Sequence, residues 1–323
     1  MFSVIIPTRN RPALFRQALA SVLAQSCHGV EIIIINDGSA DEHRSGYAAA
    51  LGDAAARARE ITLISRPNGH GPSYAINAGA AEATQPYLCF LDDDDCWTDP
   101  GHLARVRNLI EAMPTSPDLV MTNQIAYFNG EPRPGPIWIE DLPGILARSR
   151  KTPDSFGAYA VGVDELLRSQ GFCHLNTLIV RRAFFLENGG MDETIRWEGD
   201  RDLYLRLIDR ARVMRYMPLA VARHNIPDPA ATANVTTATS ELERRLFQVR
   251  VLDRAAIFAR HPGIRAHGRR HKAFTMKKIA EALAAAGRAQ DAAWYARQAL
   301  GAGPGVKWAG YTAWLSLSGT GRR

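Results

Sequence analysis

The chain has 323 residues, of which 46% are hydrophobic and 22% are charged. These values are typical of a globular protein and exclude a mainly disordered chain. The formal charge of +6 is compatible with an anionic partner, but the basic residues are concentrated in the last third, as in residues 260–278. An evenly basic surface for nucleic acid is therefore not expected.

The cysteines and the first residues predict the compartment. The four cysteines form no C-x-x-C pair, and too few residues precede the first predicted strand to form a signal peptide. No run of about 18 uncharged apolar residues is found, so no membrane-spanning helix is expected. These features predict a reduced, cytoplasmic protein.

The first hundred residues alternate between strand and helix patterns. Apolar, β-branched runs typical of buried strands occupy residues 2–8, 30–39, 61–67 and 87–91. Segments with helical patterns lie between them, at 11–26, 41–60 and 71–83. This order predicts an α/β fold with a mostly parallel, doubly wound sheet flanked by helices.

The pattern is less regular after residue 100. Strands are predicted at 119–128 and within 211–225, with a helix at 201–211 between them. Residues 129–138 are rich in Pro and Gly, which indicates a loop.

A domain boundary is predicted near residue 228. Residues 226–240 are small, polar and interrupted by prolines, which favours a mobile loop. The chain has a helical pattern from Glu241 to about Leu300, including a hairpin hinged at Gly287. We therefore expect one domain at 1–228, followed at 229–323 by a mobile loop and a C-terminal α-helical region.

Four aspartates, Asp92 to Asp95, directly follow the predicted strand at 87–91. Like charges about 4 Å apart repel by about 1 kcal/mol in water and about 4 kcal/mol at a protein surface, so the cluster indicates a positive partner. Open α/β sheets bind ligands at the carboxyl ends of their strands. Mn²⁺ or Mg²⁺ holding a substrate diphosphate fits this position best, and a solvated acidic turn is the alternative. Because alternate residues of an extended chain share a side, Asp92 and Asp94 are predicted to face one ion while Asp93 faces elsewhere.

A Gly-rich phosphate loop is missing from the sequence. The pattern G-x-x-x-x-G-K-[ST] does not occur, and residues 69–74 lack the third glycine of a dinucleotide fingerprint. P-loop hydrolysis and nucleotide-dependent redox chemistry are therefore excluded.

Six segments in order resemble a family 2 glycosyltransferase of the GT-A fold. They are SVIIPTRNRP (3–12), EIIIINDGSAD (31–41), RPNGHGPSYAINAGAAEA (66–83), YLCFLDDDDCW (87–97), LIVRRAFFLENGGMDE (178–193) and GDRDLYLRL (199–207). The resemblance implies that residues 1–228 form a Rossmann-like GT-A domain for nucleotide-sugar binding and catalysis. The implied reaction is inverting transfer of a sugar from a nucleotide-diphosphate donor, a UDP-sugar, to a hydroxyl of a glycan or lipid-linked acceptor.

The resemblance also implies residue roles. In the D-x-D element, Asp93 would lie by the ribose, while Asp94, helped by Asp92, would contact the metal. The register of Asp95 stays open, because four consecutive aspartates allow more than one alignment. His224 matches a histidine that in related enzymes reaches the metal or diphosphate, and a surface histidine is the alternative. The remaining positions implied to line the nucleotide-sugar pocket are Pro7, Thr8, Arg9, Asn10, Asp37, Asn68, Gly71 and Asn77.

An inverting transferase needs a base that deprotonates the acceptor hydroxyl. Family members carry an acidic pair just before an amphipathic helix, and the matching residues here are 198–202. Asp200 takes the position of the second acid and is the predicted base, while Gly199 replaces the first acid. Glu198 remains an alternative as base or acceptor contact, and a helix-capping cluster is the non-catalytic alternative.

Two other functions are weighed against this one. A nucleotidyltransferase acting on sugar phosphates also uses a parallel sheet and acidic metal sites, but a Gly-rich phosphate loop is expected near its first strand. A non-catalytic sugar- or partner-binding protein would have no reason to keep four repelling aspartates.

The C-terminal region combines basic residues with the aromatic residues Trp308, Tyr311 and Trp314. This composition favours a docked structural helix, and a peripheral contact with the inner face of a membrane is the alternative. The sequence alone leaves the oligomeric state open.

Overall fold

The apolar, β-branched runs of the first half form the sheet on which the molecule is built. The computed structural model describes residues 1–55, 61–66, 69–133, 135–226 and 239–318, and the chain divides into two units, Met1–Asp228 and Pro229–Arg323. The sheet belongs to the first unit. Its strands are β1 (Phe2–Thr8), β2 (Glu31–Asp37), β3 (Ile61–Arg66), β4 (Tyr87–Phe90), β5 (Cys96–Trp97), β6 (Leu119–Phe128), β7 (Glu131–Pro132), β8 (Tyr159–Ala160), β9 (Leu178–Arg181) and β10 (Met214–Asn225).

The strand order is β3-β2-β1-β4-β9-β6-β10-β5, with β7 beside β6 and β8 beside β10. Strands β3, β2, β1 and β4 are mutually parallel, as predicted, and β10 is parallel to β6. Strand β9 runs antiparallel to both β4 and β6, so the second half of the sheet is mixed. Buried strands have the same apolar pattern in either direction, and for this reason the sequence pattern does not indicate the reversal. The predicted α/β class is confirmed.

Helices cover the sheet and bring the strand ends together. In the first unit they are α1 (Pro12–Leu23), α2 (Arg44–Ala55), α3 (Pro72–Glu82), α4 (His102–Ala112), α5 (Leu142–Arg148), α6 (Val163–Leu166), α7 (Arg182–Glu187) and α8 (Gly199–Arg210). Phe15 of α1 and Leu103 of α4 are fully buried in one apolar core with the side chains of β1, β2 and β4. Helix α3 lies close to the sheet, because a Cβ atom at Gly79 would be 2.6 Å from the side chain of Ile5.

The second unit is helical throughout its described part. Its helices are α9 (Glu241–Phe258), α10 (Pro262–Ala285), α11 (Ala289–Ala302) and α12 (Val306–Ser318). The turn between α10 and α11 holds Gly287 at a φ of 74°, which confirms the predicted hairpin. Ile279, Leu283 and Leu315 are buried in a core of their own. No helix in the described ranges has the length and hydropathy needed to cross a bilayer. Most of the predicted loop at 226–240 lies outside the described residues.

Candidate active site

The four aspartates lie just beyond β4, where its carboxyl end meets the ends of β1, β6 and β10. The side chains of Asp92 and Asp94 are 34% and 27% exposed, whereas those of Asp93 and Asp95 are 8% and 0% exposed. The backbone N–H of Asp95 donates to the carbonyl of Asp92 (3.2 Å), which closes a tight turn. The turn therefore presents two carboxylates outward and two inward.

Asp93 is bound by the end of β1 and the start of α1. Thr8 donates its hydroxyl to Asp93 Oδ2 (2.7 Å), and Arg11 Nη1 contacts Asp93 Oδ1 at 3.2 Å. The same Arg11 nitrogen lies 2.9 Å from Asp94 Oδ2. Arg11 is thus one cation that offsets the repulsion within the cluster, and no pattern in the sequence around it predicts this contact.

Asp95 is saturated by hydrogen bonds from groups far along the chain. Asn176 Nδ2 donates to Asp95 Oδ2 (2.6 Å), and His224 Nδ1 lies 2.7 Å from the same oxygen. The backbone N–H of Asn225 donates to Asp95 Oδ1 (2.7 Å). Asn176 also accepts the backbone N–H of Asp92 through Oδ1 (3.0 Å). Asp95 therefore fixes the turn and orients His224, and its carboxylate has no open side toward a ligand.

Burial and neighbouring negative charge shift the pKa values of the side chains in this turn. Desolvation and the neighbouring Asp95 raise the pKa of Asp94 to about 6, and the same causes raise the pKa of Asp92 well above its usual value. Burial lowers the pKa of His224, but the hydrogen bond and charge of Asp95 outweigh this effect and raise it. These shifts mean that Asp92 and Asp94 bind a proton more readily than an ordinary aspartate, because burial and the neighbouring carboxylates disfavour their charged form.

His174 joins the aspartate turn to the predicted base. Its Nε2 lies 3.9 Å from Asp92 Oδ2 and 3.7 Å from Asp200 Oδ2, and Asp200 is the second residue of α8. His174 Nδ1 accepts the backbone N–H of Asn176 (3.3 Å), which assigns the proton of the neutral ring to Nε2. Burial, followed by the charge of His224, lowers the pKa of His174 to about 4, so the ring is neutral at pH 7. A neutral N–H donor thus faces both carboxylates.

Glu198 and Asp202, the acids that flank Asp200, are each paired with an arginine. Glu198 has a left-handed φ of 63°, and its Oε2 lies 3.0 Å from Arg201 Nε. The side chain of Asp202 is 2% exposed and contacts Arg206 Nε at 2.8 Å. Arg206 also donates to the carbonyls at 188 and 190, so it ties α8 to the preceding loop. Asp200 is the acid of this segment that points toward the aspartate turn.

The residues predicted for the nucleotide sugar surround the ends of β1 and β2. Pro7 and Thr8 are buried in β1, and the next two residues are exposed. The guanidinium of Arg9 lies against Gly69, where a Cβ atom would be 2.1 Å from Nη1. Asn10, at a left-handed φ of 57°, accepts the backbone N–H of Ala40 through Oδ1 (2.9 Å), which joins the two strand ends.

Asp37 and Gly71 form the next part of this wall. Asp37 Oδ2 accepts the backbone N–H groups of His70 and Gly71, both at 2.7 Å. Gly71 has a φ of 108°, a conformation that other residues rarely adopt, and it directly precedes α3. The carboxylate of Asp37 therefore shapes the loop that opens α3.

Asn77 and Asn68 differ from the others in placement. Asn77 donates to the carbonyl of Met191 and to Glu193, and its Oδ1 accepts the backbone N–H of Met191. The amide of Asn77 therefore holds the loop before α8, and its predicted contact with the nucleotide sugar stays a prediction. Asn68 lies outside the described residues.

Whether a divalent cation suits the turn can be judged from the donor chemistry. No three His, Cys, Asp or Glu side chains in the described ranges form a ready-made metal cage. Mg²⁺ and similar ions are, however, commonly held by one or two carboxylates together with substrate phosphates. Asp92 and Asp94 offer such oxygens, partly exposed and in excess negative charge. His224 donates Nδ1–H to a carboxylate, as histidines that bind metals through Nε2 usually do.

Three of the groups that complete the site lack a local sequence signal. Arg11, His174 and Asn176 reach the turn from 80 or more positions away in the chain. His174 follows Cys173 in the sequence, and no motif around this pair marks it as part of a site. His174 and Asn176 lie just before β9, so the pairing of β9 with β4 brings both to the turn. Arg11 reaches the turn from the start of α1 instead.

Relatives of known family are consistent with this geometry. The family model described as Glycosyl transferase family 2 matches residues 3–169. The PGL/p-HBAD biosynthesis glycosyltransferase of Mycobacterium bovis (strain BCG / Pasteur 1173P2) is 31% identical over 229 residues, which is 70% of this chain and 77% of the relative. The succinoglycan biosynthesis protein ExoW of Rhizobium meliloti is 40% identical over 105 residues, 31% of each chain.

Solved structures show the same fold. TarS 1-349 of S. aureus in complex with UDP-GlcNAc has a TM-score of 0.64 at 16% identity, covering 85% of this chain and 71% of that one. The mannosyltransferase PcManGT from Pyrobaculum calidifontis, in complex with GDP-Man and Mn²⁺, has a TM-score of 0.59 at 17% identity, covering 98% and 84%. This chain spans 42% of a longer solved TarS chain. The likeness confirms the GT-A-type architecture of the sheet and its helices. With a family model matching just over half of its length and a relative matching most of it, this chain belongs to glycosyl transferase family 2 and is a glycosyltransferase.

Proposed function

We propose that the chain is an inverting transferase that moves a sugar from a nucleotide-diphosphate donor, a UDP-sugar, to a hydroxyl of a glycan or lipid-linked acceptor. The observation that carries this proposal is the placement of Asp92 and Asp200 within 4 Å of one atom, His174 Nε2. A carboxylate for the donor side and a carboxylate for the acceptor side thus lie near the same imidazole nitrogen. We assign both nucleotide-sugar binding and catalysis to residues 1–228.

The donor is assigned to the ends of β1, β2 and β4. The base and ribose are assigned to the segments around Pro7 to Asn10 and around Asp37, with Gly71 held beside Asp37. Asn68 is assigned to the same pocket from the sequence alone. Asp93 lies by the ribose. A UDP-sugar is favoured because TarS, which shares the fold, has been crystallised with UDP-GlcNAc.

The metal is assigned to Asp94 and Asp92, with His224 as a further ligand through Nε2. These residues suit Mn²⁺ or Mg²⁺ because their oxygen donors are hard and their excess negative charge is not balanced by Arg11 alone. When bound, the ion neutralises charge that grows on the leaving diphosphate.

The acceptor side is assigned to Asp200. Its carboxylate takes the proton of the acceptor hydroxyl as that oxygen attacks the anomeric carbon from the face opposite the diphosphate. The bond between the anomeric carbon and the diphosphate oxygen breaks with its electron pair on the diphosphate, so the nucleoside diphosphate leaves and the configuration inverts. The neutral His174 ring points its Nε2–H toward Asp200 and orients that carboxylate for proton transfer.

The variant Asp200→Asn tests the proposal. Calorimetric titration of UDP with Mn²⁺ should give unchanged affinity, because donor binding does not use this carboxylate. UDP release in the presence of acceptor should fall by at least about 100-fold, since general base catalysis typically contributes that much. Undiminished turnover by Asp200→Asn would refute the assignment of the base. The matched variant Glu198→Gln keeps the arginine-facing side chain polar and should retain most of the activity.

A further inference from the structure

The second unit carries a charge that the proposed reaction does not use. Residues 229–323 contain sixteen lysines and arginines against five acidic residues, a formal charge of +11. Residues 1–228 contain 23 basic and 28 acidic residues, a formal charge of −5. So strong an asymmetry indicates that the helical unit meets an anionic partner.

Basic side chains of this unit line two adjoining cavities along α10. One, of about 620 Å³, lies between α10 and the start of α12, and the other, of about 450 Å³, lies between α10 and the end of α11. They share Lys277, whose Nζ lies 5.2 Å from the centre of the Trp308 ring. Of the described residues that line them, one is acidic, Glu281, and it is paired with Lys278 at 2.9 Å. The cations of this groove are Arg269, Arg270, Lys277 and Lys307.

Large apolar side chains stand beside these cations. Val306 is 92% exposed and Phe274 58% exposed, and both line the groove. Trp314, 58% exposed, lies eight residues after Val306 and thus on the same side of α12. The opposite side of α12 packs inward through Thr312 and Leu315. Helix α12, which the sequence predicted to be a docked structural helix, therefore has apolar side chains on its outer side as well as on its inner side.

The combination of cations and exposed apolar side chains favours one class of anionic partner, a lipid surface, over the others. Cations alone would bind any soluble polyanion, but exposed apolar side chains between cations suit the boundary between lipid headgroups and acyl chains. A second copy of this chain is disfavoured as the occupant, because two surfaces of the same strong positive charge repel. We propose that the groove between α10 and α12 docks on an anionic lipid bilayer, with Phe274, Val306 and Trp314 entering the headgroup layer and the four groove cations contacting lipid phosphates.

Sedimentation of the full chain with lipid vesicles tests this docking. Vesicles of phosphatidylcholine with about one third phosphatidylglycerol should bind the protein, and vesicles of phosphatidylcholine alone should not. Binding should weaken strongly between roughly 0.1 M and 0.5 M NaCl, because salt screens the charges. Lys277→Glu with Lys307→Glu should reduce binding more than about tenfold, since each basic residue near an anionic surface contributes several-fold. Phe274→Ser with Val306→Ser should also reduce it.

Matched controls in the first unit separate this surface from general effects. Leu186→Ser changes a side chain of comparable exposure (44%), and Arg148→Glu reverses an exposed charge; neither should alter vesicle binding. Circular dichroism and UDP affinity of all variants should match those of the unaltered chain.

Four outcomes would overturn the proposal. Two of them are equal binding to neutral vesicles and no binding to anionic vesicles. A third is binding that soluble polyphosphate abolishes and that the double variant Phe274→Ser with Val306→Ser retains in full. The fourth is a dimer in light scattering that the same double variant dissociates. Vesicle binding requires no donor sugar. A failure to bind vesicles would therefore not contradict the proposed transfer reaction, and a failure of sugar transfer would not contradict vesicle binding.

Discussion

At the residue scale, the site depends on polar groups that hold each other in place. Asp95 receives hydrogen bonds from Asn176, His224 and the backbone of Asn225, which leaves its neighbours Asp92 and Asp94 facing outward. A buried carboxylate is costly unless it is bonded in this way. The like-charge cluster is thus tolerated because hydrogen bonds hold Asp93 and Asp95, Arg11 pairs with Asp94, and Asp92 stays partly exposed to water.

We predict that His174→Ala lowers kcat by up to about 100-fold, because a misplaced catalytic group costs about that much. The present distances of 3.7 and 3.9 Å from Nε2 are longer than a hydrogen bond, so a small contraction on substrate binding is expected to form one. The KM for the donor should change less than kcat, because the substitution leaves Asp94, the main assigned metal contact, with its partner Arg11. Steady-state kinetics of UDP release measure both constants.

His174→Gln is the matched variant, because an amide retains an N–H donor near the same place. It should recover part of the lost kcat, whereas a purely structural histidine would show equal losses in both variants together with a lower melting temperature. A proportional rise in KM with no change in kcat would contradict the orienting role.

At the element scale, one carboxylate ties together the mixed half of the sheet. Asp118, just before β6, accepts hydrogen bonds from Arg181 at the end of β9 (2.7 and 3.2 Å) and from the backbone N–H groups of Arg212 and Val213 before β10 (2.8 and 3.3 Å). Burial raises the pKa of Asp118, but these hydrogen bonds outweigh it and lower the pKa below 3.8. The antiparallel strand β9 is thereby fixed between β4 and β6.

We predict that Asp118→Asn lowers the free energy of unfolding at pH 7 by about 1–3 kcal/mol, the usual cost of losing buried hydrogen bonds to a charged group. Because the folded-state pKa is depressed, the stabilisation is present above the unfolded pKa and is lost as the pH falls through the folded one. The difference between variant and unaltered chain should therefore shrink in acid. Urea denaturation at pH 7 and near pH 3 measures it. The control Asp41→Asn, at a side chain that is 90% exposed, should change stability by less than about 0.5 kcal/mol at either pH.

At the scale of the whole molecule, ligand binding to the native state should appear as heat stability. A ligand at about 100 times its Kd stabilises the folded state by about 2.7 kcal/mol, which is on the order of 5 °C for a chain of this size. We predict this shift for UDP with Mn²⁺ and a much smaller one for UDP with chelator. A thermal-shift assay measures both.

The variant Asp94→Ala should abolish the part of the shift that requires Mn²⁺, because its carboxylate is the assigned metal contact. Glu111→Ala, at an exposed position of α4, is the control and should keep the full shift. A metal-dependent shift that survives Asp94→Ala would place the ion elsewhere.

Much of this protein could be predicted from sequence because the decisive signals are local. Apolar runs and helical spacing located β1 to β4, the hairpin at Gly287 and the aspartates after Leu91, and the order of six segments indicated the family. The direction of β9 and the use of Asn77 to hold a loop could not be predicted in the same way. Both depend on which distant segment lies alongside, and a pattern within one element contains no such information.

The sequence by itself determined the order of β1 to β4 and of the helices between them, the family, and the presence of four acids at the end of a buried strand, because each of these signals lies in neighbouring residues. The alternation of an extended chain predicted that Asp92 and Asp94 share a side, but only the tertiary structure decided that Asp95 is fully buried and that Asp92 and Asp94 are the partly exposed pair. Thr8, Asn176 and Asn225 come from three separate parts of the chain, and their hydrogen bonds occupy Asp93 and Asp95. Partial exposure of Asp92 and Asp94 follows from those long-range contacts, since the four aspartates are chemically identical and differ only in the partners that the fold brings to them.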